Sequence, residues 1–303
     1  MRIHQYGGAS VIRDDDIPRP LPRDGEVLIR VAATSFNPSD IGLRRGLLRS
    51  VFPLDLPHTL GADVAGTVTE AGSGGSALVA GDRVIGRLDG GGAAAEYVTA
   101  AASTLAAAPA AIPLADAAAI PVAGVTAWQA VFEHADVTPG QRVLVNGAGG
   151  GIGGFAVQLA RHAGAYVIAT ASPRSTDAVR RYGADQVIDY MSTPLADALD
   201  EPVDTILNLV VLSARQAATL LPLVRPGGIV VSATPVTMPV NPAVKAVHFV
   251  ARNDTSHLTA LVNLIDTGAI RVDISARQPL ASLASAHRDA ESGRTRGKII
   301  LVP

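Results

Sequence analysis

A cluster of glycines between an apolar run and an amphipathic stretch constrains the fold of this 303-residue chain more than any other feature. The run RVLVNG (residues 142–147) is followed by AGGGIGG and by a stretch with helical periodicity (residues 152–163). A second apolar run, AYVIAT (residues 165–170), comes next. Strand, turn, helix and strand in this order form one βαβ unit, which predicts two parallel strands joined by a helix.

The glycines of the turn have the spacing of a dinucleotide-binding loop, with Gly147, Gly150 and Gly153 three residues apart. A tight turn requires positive φ, and a pyrophosphate can approach the backbone only where no Cβ intervenes. Gly151 and Ile152 begin the helix, whose free amide groups attract an anion. We therefore predict that a dinucleotide binds here; the alternative is a flexible glycine-rich surface loop.

The residues after the second strand favour NADPH over NADH. NAD sites usually carry Asp or Glu there, which binds the ribose 2′-hydroxyl. This chain has TASPRS (residues 170–175), in which Arg174 lies between Ser172 and Ser175 and no acid occurs. A cation flanked by hydroxyl donors suits a 2′-phosphate. The alternative is that Arg174 is solvated at the start of a helix.

The predicted secondary structure changes near residue 113. Before it, short β-rich runs are separated by Gly, Pro and Asp turns; after it, continuous apolar runs alternate with amphipathic stretches. This alternation predicts an α/β fold with a Rossmann-type doubly wound parallel sheet. The tail after about residue 261 predicts one more helix and then the strands RVDI and KIILV. The predicted strands lie at residues 26–34, 63–72, 82–86, 142–147, 165–170, 186–190, 204–211 and 227–234, and the covering helices at residues 152–163, 176–182 and 213–224.

Composition removes several classes of site. The chain has no cysteine, which excludes thiolate metal sites and cysteine nucleophiles. The net charge of −2 and the absence of a basic run argue against nucleic acid and anionic membranes as partners. Glu96, Asp116 and several prolines interrupt the most apolar stretch (residues 93–132), and the start MRIHQYGG has no secretory pattern. We therefore expect a cytoplasmic protein.

Two other nucleotide-binding classes lack their motifs. No G-x-x-x-x-G-K-[ST] is present, which excludes a P-loop phosphotransferase. The only lysines are Lys245 and Lys298, and the residues four positions earlier are Asn241 and Arg294. The Tyr-x-x-x-Lys pair of short-chain dehydrogenases is therefore missing.

Several segments along nearly the whole chain occur in the order of a known superfamily. They are SFNPSDIGLRRG (residues 35–46), LGADVAGTVTEAGSG (60–74), GDRVIG (81–86), IPVAGVTAWQAV (120–131), the glycine turn, YGADQVIDY (182–190) and RGKIILV (296–302). They resemble the medium-chain dehydrogenases/reductases, in their zinc-free quinone oxidoreductase branch. The resemblance implies a GroES-like β-barrel domain at residues 1–117, completed by about residues 261–303. It also implies a Rossmann NADPH-binding domain at residues 118–260 and a homodimer.

The departures from zinc-dependent relatives are informative. Those relatives carry Cys where Asn37 stands and His-Glu where Ala62 and Asp63 stand. We therefore predict no metal site. The resemblance makes Asn37 a candidate hydrogen-bond donor near the substrate and a cofactor contact. A tyrosine common in quinone oxidoreductases is replaced by Gly42, so no proton donor is identified.

We expect Asp40 and Arg44 to form an ion pair that holds the loop after Asn37. This interpretation gives the two charges a structural role rather than a catalytic one.

The resemblance implies further cofactor contacts. Thr126 would contact the nicotinamide ribose region, unless its hydroxyl bonds its own backbone. Tyr190 would reach the 2′-phosphate or adenine edge, unless it is a core aromatic at a strand end. Lys298 is a cofactor contact or an exposed surface lysine. The remaining implied contacts follow predicted strands. Backbone contacts to the ribose and nicotinamide are implied for Asn208, Leu209, Ser232, Ala233 and Thr234, and Phe249 is a further implied contact.

The implied reaction is hydride transfer from NADPH to a quinone or a similarly activated carbonyl acceptor. One alternative is reduction of the double bond of an enal, enone or enoyl thioester. Another is a non-catalytic NADPH-binding sensor, because a fold does not determine a function.

Overall fold

The computed structural model describes residues 1–73 and 75–303, so Gly74, the last residue of one family-like segment, lies outside the described residues. The strands are β1 (Arg2–Ile3), β2 (Ile12–Arg13), β3 (Glu26–Ser35), β4 (His58–Thr59), β5 (Asp63–Ala71), β6 (Arg83–Arg87), β7 (Tyr97–Ala101), β8 (Leu105–Ala107), β9 (Arg142–Asn146), β10 (Tyr166–Ala171), β11 (Gln186–Asp189), β12 (Val203–Asn208), β13 (Val224–Ser232), β14 (Lys245–His248), β15 (Ile274–Pro279) and β16 (Lys298–Val302). The α-helices are α1 (Pro38–Arg45), α2 (Pro121–Trp128), α3 (Gly151–His162), α4 (Thr176–Arg181), α5 (Leu195–Ala198), α6 (Ala214–Ala218), α7 (Thr255–Asp266) and α8 (Leu283–Glu291). A π-helical segment, Gln129–His134, continues α2.

The chain forms two compact units. One comprises Met1–Val122, Asn253–Gly268 and Val272–Pro303, and the other comprises Ala123–Arg252 and Ala269–Arg271. The division falls a few residues from the predicted boundaries at residues 117 and 260. Residues Ala269–Arg271 belong to the second unit because Arg271 is hydrogen-bonded to α3. The buried amide of Gln158 on α3 accepts from Arg271 N at 2.8 Å and donates to Arg271 O at 3.0 Å.

The first unit is built on a mainly antiparallel sheet. Its strand order is β15-β16-β3-β5-β6-β8, and β7 also pairs with β3. A small sheet of order β2-β1-β4 accompanies it. Branched side chains such as Val27, Ile29 and Val64 are fully buried between these strands. The predicted β-rich N-terminal domain is confirmed.

The second unit contains a six-stranded sheet of order β11-β10-β9-β12-β13-β14, in which every pairing is parallel. The doubly wound parallel sheet predicted from the apolar runs is confirmed. From β9 the chain winds first toward β11 and later toward β14, so the winding direction reverses beside β9. An open sheet of this kind binds ligands outside the carboxyl ends of its strands, at this reversal.

The structure differs from the sequence prediction in the bounds of several elements. The strand predicted for residues 204–211 ends at Asn208, and the helix predicted for residues 213–224 is only α6 followed by a 3-10 turn at Leu221–Leu223. Pro222 ends the helical pattern because it lacks the backbone N–H that a continuing helix requires. RVDI is not a strand, since β15 begins only at Ile274.

Two helices in the C-terminal part depart from the expected single helix. α7 begins at Thr255, before residue 261, because the Asp254 carboxylate accepts the amides of Ser256 and His257. The second of them, α8, has no counterpart among the helices that the sequence predicts. In the part of the chain that the structure describes, no helix has the length and apolar character needed to cross a membrane.

Candidate functional site

The second unit brings most predicted cofactor residues to one edge of its sheet. Each predicted group follows the carboxyl end of one parallel strand. Along the sheet from β11 to β14, the groups are Tyr190; then Ser172, Arg174 and Ser175; then Gly147, Gly150, Gly151, Ile152 and Gly153; then Asn208 and Leu209; then Ser232, Ala233 and Thr234; and finally Phe249. A dinucleotide extended across the strand ends would contact these groups one after another along the sheet.

The glycine turn has the geometry that its sequence predicts. Gly147 has a φ of +97°, a conformation that favours glycine. A Cβ on Gly153 would lie 2.6 Å from the Cα of Ala148, and a Cβ on Gly149 would lie 2.7 Å from the Cβ of Ser175. The turn therefore has no room for side chains at these positions.

The helix that follows the turn presents its amino end to the same place. Gly150 is the N-cap residue of α3, which runs for 12 residues, and no side chain caps its first amides. Free amides and the positive end of the helix dipole are the groups that bind a phosphate. The bare backbone of the turn and this helix end together fit the pyrophosphate of a dinucleotide.

The three polar residues predicted as cofactor contacts after β10 differ in their exposure. Arg174 is exposed and Ser172 is half-buried, so both can meet a ligand. Ser175 is buried, with its hydroxyl 3.2 Å from both Ser172 N and Ser172 O. Its Oγ can accept from that N–H and donate to that carbonyl. This hydroxyl therefore supports the Ser172 turn, and the contact of Ser175 with a 2′-phosphate stays a prediction.

Other implied contacts differ in burial. Tyr190 is 54% exposed, so it is not a core aromatic. Phe249 is buried against His134, with ring centroids 4.3 Å apart. Thr126 is buried in α2. Their contact with a cofactor remains a prediction.

The first unit contains a buried polar cluster, which consists of Ser35, Asn37, Asp63 and Lys298. Lys298 is 4% exposed and Asp63 is fully buried, and Lys298 Nζ lies 3.4 Å from Asp63 Oδ2. The ammonium also donates to Asn37 Oδ1 at 2.8 Å and to Phe36 O at 3.3 Å. Asn37 Nδ2 donates to Asp63 Oδ2 at 2.8 Å, and the Ser35 hydroxyl donates to the same oxygen. Lys298 is therefore not a surface lysine.

The cluster determines how Asn37 is oriented. Its amide oxygen faces the ammonium and its amide nitrogen faces the carboxylate. The second hydrogen of Nδ2 has only a long contact, 3.5 Å to Ser35 O. The sequence predicts Asn37 and Lys298 as two separate cofactor contacts, and the structure shows that their side chains contact each other.

The expected Asp40–Arg44 ion pair is wrong. The fully buried Arg44 pairs with Glu291 on α8 and donates to Gly7 O at 3.1 Å. Burial by itself raises the pKa of Glu291, but its hydrogen bonds and charge contacts with Arg44 and Arg45 outweigh this effect and lower the pKa. The sequence could not indicate this partner, which lies 247 positions along the chain.

Asp40 is instead a buried carboxyl group at the start of α1. Its Oδ2 accepts the backbone N–H of Asn37 at 2.9 Å. Burial raises the pKa of Asp40 to about 7, and the nearby charge of Asp63 adds to the effect. The group is therefore substantially protonated at neutral pH.

Within residues 1–73 and 75–303, no three His, Asp or Glu side chains are grouped so that they could hold a metal ion. His58 and Asp63, the pair nearest to the zinc-ligand positions of related enzymes, have other surroundings. Asp63 is enclosed by the cluster, and burial followed by the charge of Arg2 lowers the pKa of His58.

Comparison with known proteins agrees with this architecture. Residues 23–110 match the family model of the alcohol dehydrogenase GroES-like domain, and residues 182–301 match the model described as zinc-binding dehydrogenase. The chain is 34% identical over 322 aligned positions to a chloroplast envelope quinone oxidoreductase homolog of Arabidopsis thaliana, covering 100% of this chain and 98% of the relative.

Two further similarities bear on function. An NADPH-dependent alkenal/one oxidoreductase of Arabidopsis thaliana is 30% identical over 98% of this chain and 78% of its own length. The crystal structure of Escherichia coli quinone oxidoreductase complexed with NADPH superposes with a TM-score of 0.90 at 27% identity, covering 100% of this chain and 99% of that one. The chain therefore belongs to the medium-chain dehydrogenase/reductase superfamily, in its zinc-free quinone oxidoreductase branch.

Proposed function

We propose that this protein is a zinc-independent, NADPH-dependent reductase that transfers a hydride to a quinone or a similarly activated carbonyl compound. The observation that carries the proposal is the row of predicted groups along the carboxyl edge of the parallel sheet, with the glycine turn and the start of α3 at its centre. The similarity to an NADPH-bound quinone oxidoreductase supports it.

When bound, NADPH supplies the hydride, and the protein binds and orients it. The amides of Gly151, Ile152 and Gly153 would hold the pyrophosphate at the amino end of α3, while the Gly150 N–H donates to Gly147 O at 3.1 Å and its bare backbone would let the phosphates approach. Arg174, Ser172 and Ser175 would bind the 2′-phosphate. Thr126, Tyr190, Asn208, Leu209, Ser232, Ala233, Thr234, Phe249, Asn37 and Lys298 stay proposed contacts from the resemblance.

On the substrate side, we assign Asn37 as the hydrogen-bond donor. The hydrogen of Nδ2 that makes only a long contact with Ser35 O is the one left for an acceptor oxygen. The ammonium of Lys298 on the amide oxygen polarises this amide and strengthens its N–H as a donor. The acceptor itself must be electron-poor, because the expected metal-ligand positions hold Asn37, Ala62 and Asp63.

Arg174→Ala tests the cofactor assignment. Loss of one charge-assisted contact, worth about 1.5–3 kcal/mol, weakens NADPH binding by about 10–100-fold. The affinity for NADH should stay within about twofold of the parent, since NADH has no 2′-phosphate. Arg180→Ala is the matched control, because Arg180 is an exposed arginine on α4 that pairs with Asp177. Equal loss for both nucleotides, or no loss for either, contradicts the assignment of Arg174.

A panel of quinones, enals and enones tests the reaction, with NADPH oxidation followed by absorbance. The similarity to an alkenal/one oxidoreductase favours double-bond reduction as the second candidate. Faster turnover with quinones supports the first function, and faster turnover with enones supports the second. Tight NADPH binding without turnover of any acceptor would support a sensor.

We further propose a homodimer in the cytoplasm. Support for the dimer comes from β14, which is the last strand at one end of the parallel sheet and offers an edge for pairing. Sedimentation equilibrium of the purified chain gives the oligomeric state, and a monomer at micromolar concentration contradicts the dimer. Cell fractionation tests the compartment.

A further inference from the structure

We propose that a hydrogen-bonded relay beneath the glycine turn holds the NADPH site in its binding conformation and couples its phosphate end to its nicotinamide end. The relay consists of Thr170, Asn146, Asn208, Ser232 and Thr234. The inference rests on the proposed NADPH site, but none of the resemblances assigns a role to Thr170 or Asn146. In each residue it is the side chain that forms the relay.

The phosphate end of the relay is anchored on the glycine turn. Gly147 N donates to Thr170 Oγ1 at 2.8 Å, and this hydroxyl lies 3.1 Å from Asn146 Oδ1. A backbone N–H can only donate, so Thr170 Oγ1 accepts a hydrogen bond from it and donates its own hydrogen bond to Asn146 Oδ1. The amide of Asn146 is thereby oriented with its oxygen toward Thr170. Its nitrogen donates to Asn208 Oδ1 at 2.9 Å.

The other end of the relay ties down the loops after β12 and β13. Asn208 Nδ2 donates to Ser232 Oγ and to Val210 O, each at 3.0 Å. The Ser232 hydroxyl donates to Thr234 O, and the Thr234 hydroxyl donates to Val210 O, both at 2.8 Å. These loops carry the residues that the resemblance assigns to the nicotinamide side.

The relay crosses four adjacent strands of one sheet. In order of sheet position, β10 contributes Thr170, β9 Asn146, β12 Asn208 and β13 Ser232. Thr170, Asn208 and Ser232 are at most 1% exposed, and Asn146 is 9% exposed. A buried network of neutral groups whose partners are satisfied is rigid, and loss of one member leaves its neighbour without a partner. A site that is already ordered spends less binding free energy on ordering.

The role of the phosphate end is tested by Thr170→Val, which keeps the shape of the side chain and removes the hydroxyl. Without that oxygen, the Gly147 amide has no acceptor and the turn loosens. We expect the NADPH dissociation constant, measured by fluorescence titration, to rise by about tenfold, the effect of one hydrogen bond left unmade. Thr170→Ser keeps the hydroxyl and should bind within about twofold of the parent.

Thr205→Val is the matched control. Thr205 is also 1% exposed, on β12 of the same sheet, and it is not a member of the relay. If Thr205→Val weakens NADPH binding as much as Thr170→Val does, the effect is a general one of sheet stability and the relay proposal is overturned.

Coupling between the two ends is tested with adenosine 2′,5′-bisphosphate, which keeps the 2′-phosphate and one phosphate of the pyrophosphate but lacks the nicotinamide and its ribose. Asn208→Leu alters the relay on the nicotinamide side. We nevertheless expect this variant to bind the fragment about fivefold more weakly than the parent, because the glycine turn depends on the orientation of Asn146. Asn208→Asp, which loses the amide donors but keeps the size, is the second probe if Asn208→Leu does not fold. Unchanged fragment binding in the folded variant overturns the coupling.

The experiment separates this proposal from the proposed function. If the unmodified chain does not bind NADPH, the proposed function fails and the relay proposal fails with it. If the unmodified chain binds NADPH and Thr170→Val binds it equally well, only the relay proposal fails.

Discussion

The buried ion pair between Asp63 and Lys298 predicts a large and specific loss of stability in Lys298→Met. The change keeps the apolar stem and removes an ammonium that lies 3.4 Å from Asp63 Oδ2. Asp63, which is fully buried, would keep the neutral donors Ser35, Asn37 and Val122 N. Removing one partner of a buried pair costs about 3–5 kcal/mol, because the remaining charge is left uncompensated.

Two further variants show whether the loss comes from that uncompensated charge. In Asp63→Asn/Lys298→Met both charges are absent, so the double variant should recover at least about half of the lost free energy of unfolding. Arg296→Met is the matched control, because the Arg296–Asp273 pair is even shorter, at 2.9 Å, but its side chains are 33% and 28% exposed. We expect this control to lose about 0–1 kcal/mol.

The assay is chemical unfolding of the four proteins, followed by far-ultraviolet circular dichroism in the same buffer. Lys298→Met should have the lowest midpoint, followed by the double variant and then by Arg296→Met near the parent. If Lys298→Met is no less stable than Arg296→Met, or if the double variant is less stable than Lys298→Met, the account of the cluster is refuted.

Three further predictions follow from the glycine turn and from two buried titratable groups. Gly153→Ala should abolish measurable NADPH binding in a titration, because its Cβ would lie 2.6 Å from the Cα of Ala148 and displace the turn; unchanged affinity would rule out the assigned geometry. Burial, followed by the charge of Arg44, lowers the pKa of His287 from 6.5 to about 4. The folded protein therefore binds fewer protons than the unfolded chain in this range, and the free energy of unfolding rises by about 3 kcal/mol from pH 4 to pH 6.5. His287→Leu should remove this rise in unfolding curves recorded across that range, and a persisting rise would exclude His287 as its origin. Asp40 has the opposite effect on stability. Its pKa is raised from 3.8 to about 7, so the free energy of unfolding falls by about 4 kcal/mol as the pH rises from 3.8 to about 7. Asp40→Asn should therefore be more stable than the parent at pH 8 but not at pH 4. Equal stability of Asp40→Asn and the parent at both pH values would contradict the raised pKa.

The parallel sheet and its phosphate-binding turn were predictable from the sequence because their signals are local. The run RVLVNG, the glycines after it and the helical period of residues 152–163 are contiguous, and each constrains the next. The family was predictable for a related reason, since its motifs are spread along the chain in order, and the comparisons confirm it.

The sequence carries a signal for the position of the relay residues but not for their contacts. Each central apolar run closes on a polar residue, as in VLVN, VIAT, TILN and IVVS. Parallel strands end at the same edge, so such residues become neighbours once the strand order is known. The order β10-β9-β12-β13 is a tertiary property, however, and it decides which of these residues contact each other.

The buried cluster and the pair formed by Arg44 could not be predicted, because their partners are remote in sequence. Lys298 and Asp63 are 235 positions apart, and Arg44 and Glu291 are 247 positions apart. Propensity and periodicity carry no information at such separations. The pattern SPRS likewise indicates three polar residues near a phosphate but does not show that Ser175 turns inward.

Metal-independent, NADPH-dependent quinone reduction is tested most directly by the rate of NADPH oxidation by a quinone after exhaustive treatment of the protein with a metal chelator. We expect turnover that depends on the quinone, that is faster with NADPH than with NADH, and that the chelator does not change. Loss of activity on chelation with recovery on adding zinc, or equal rates with both nucleotides, would contradict this expectation.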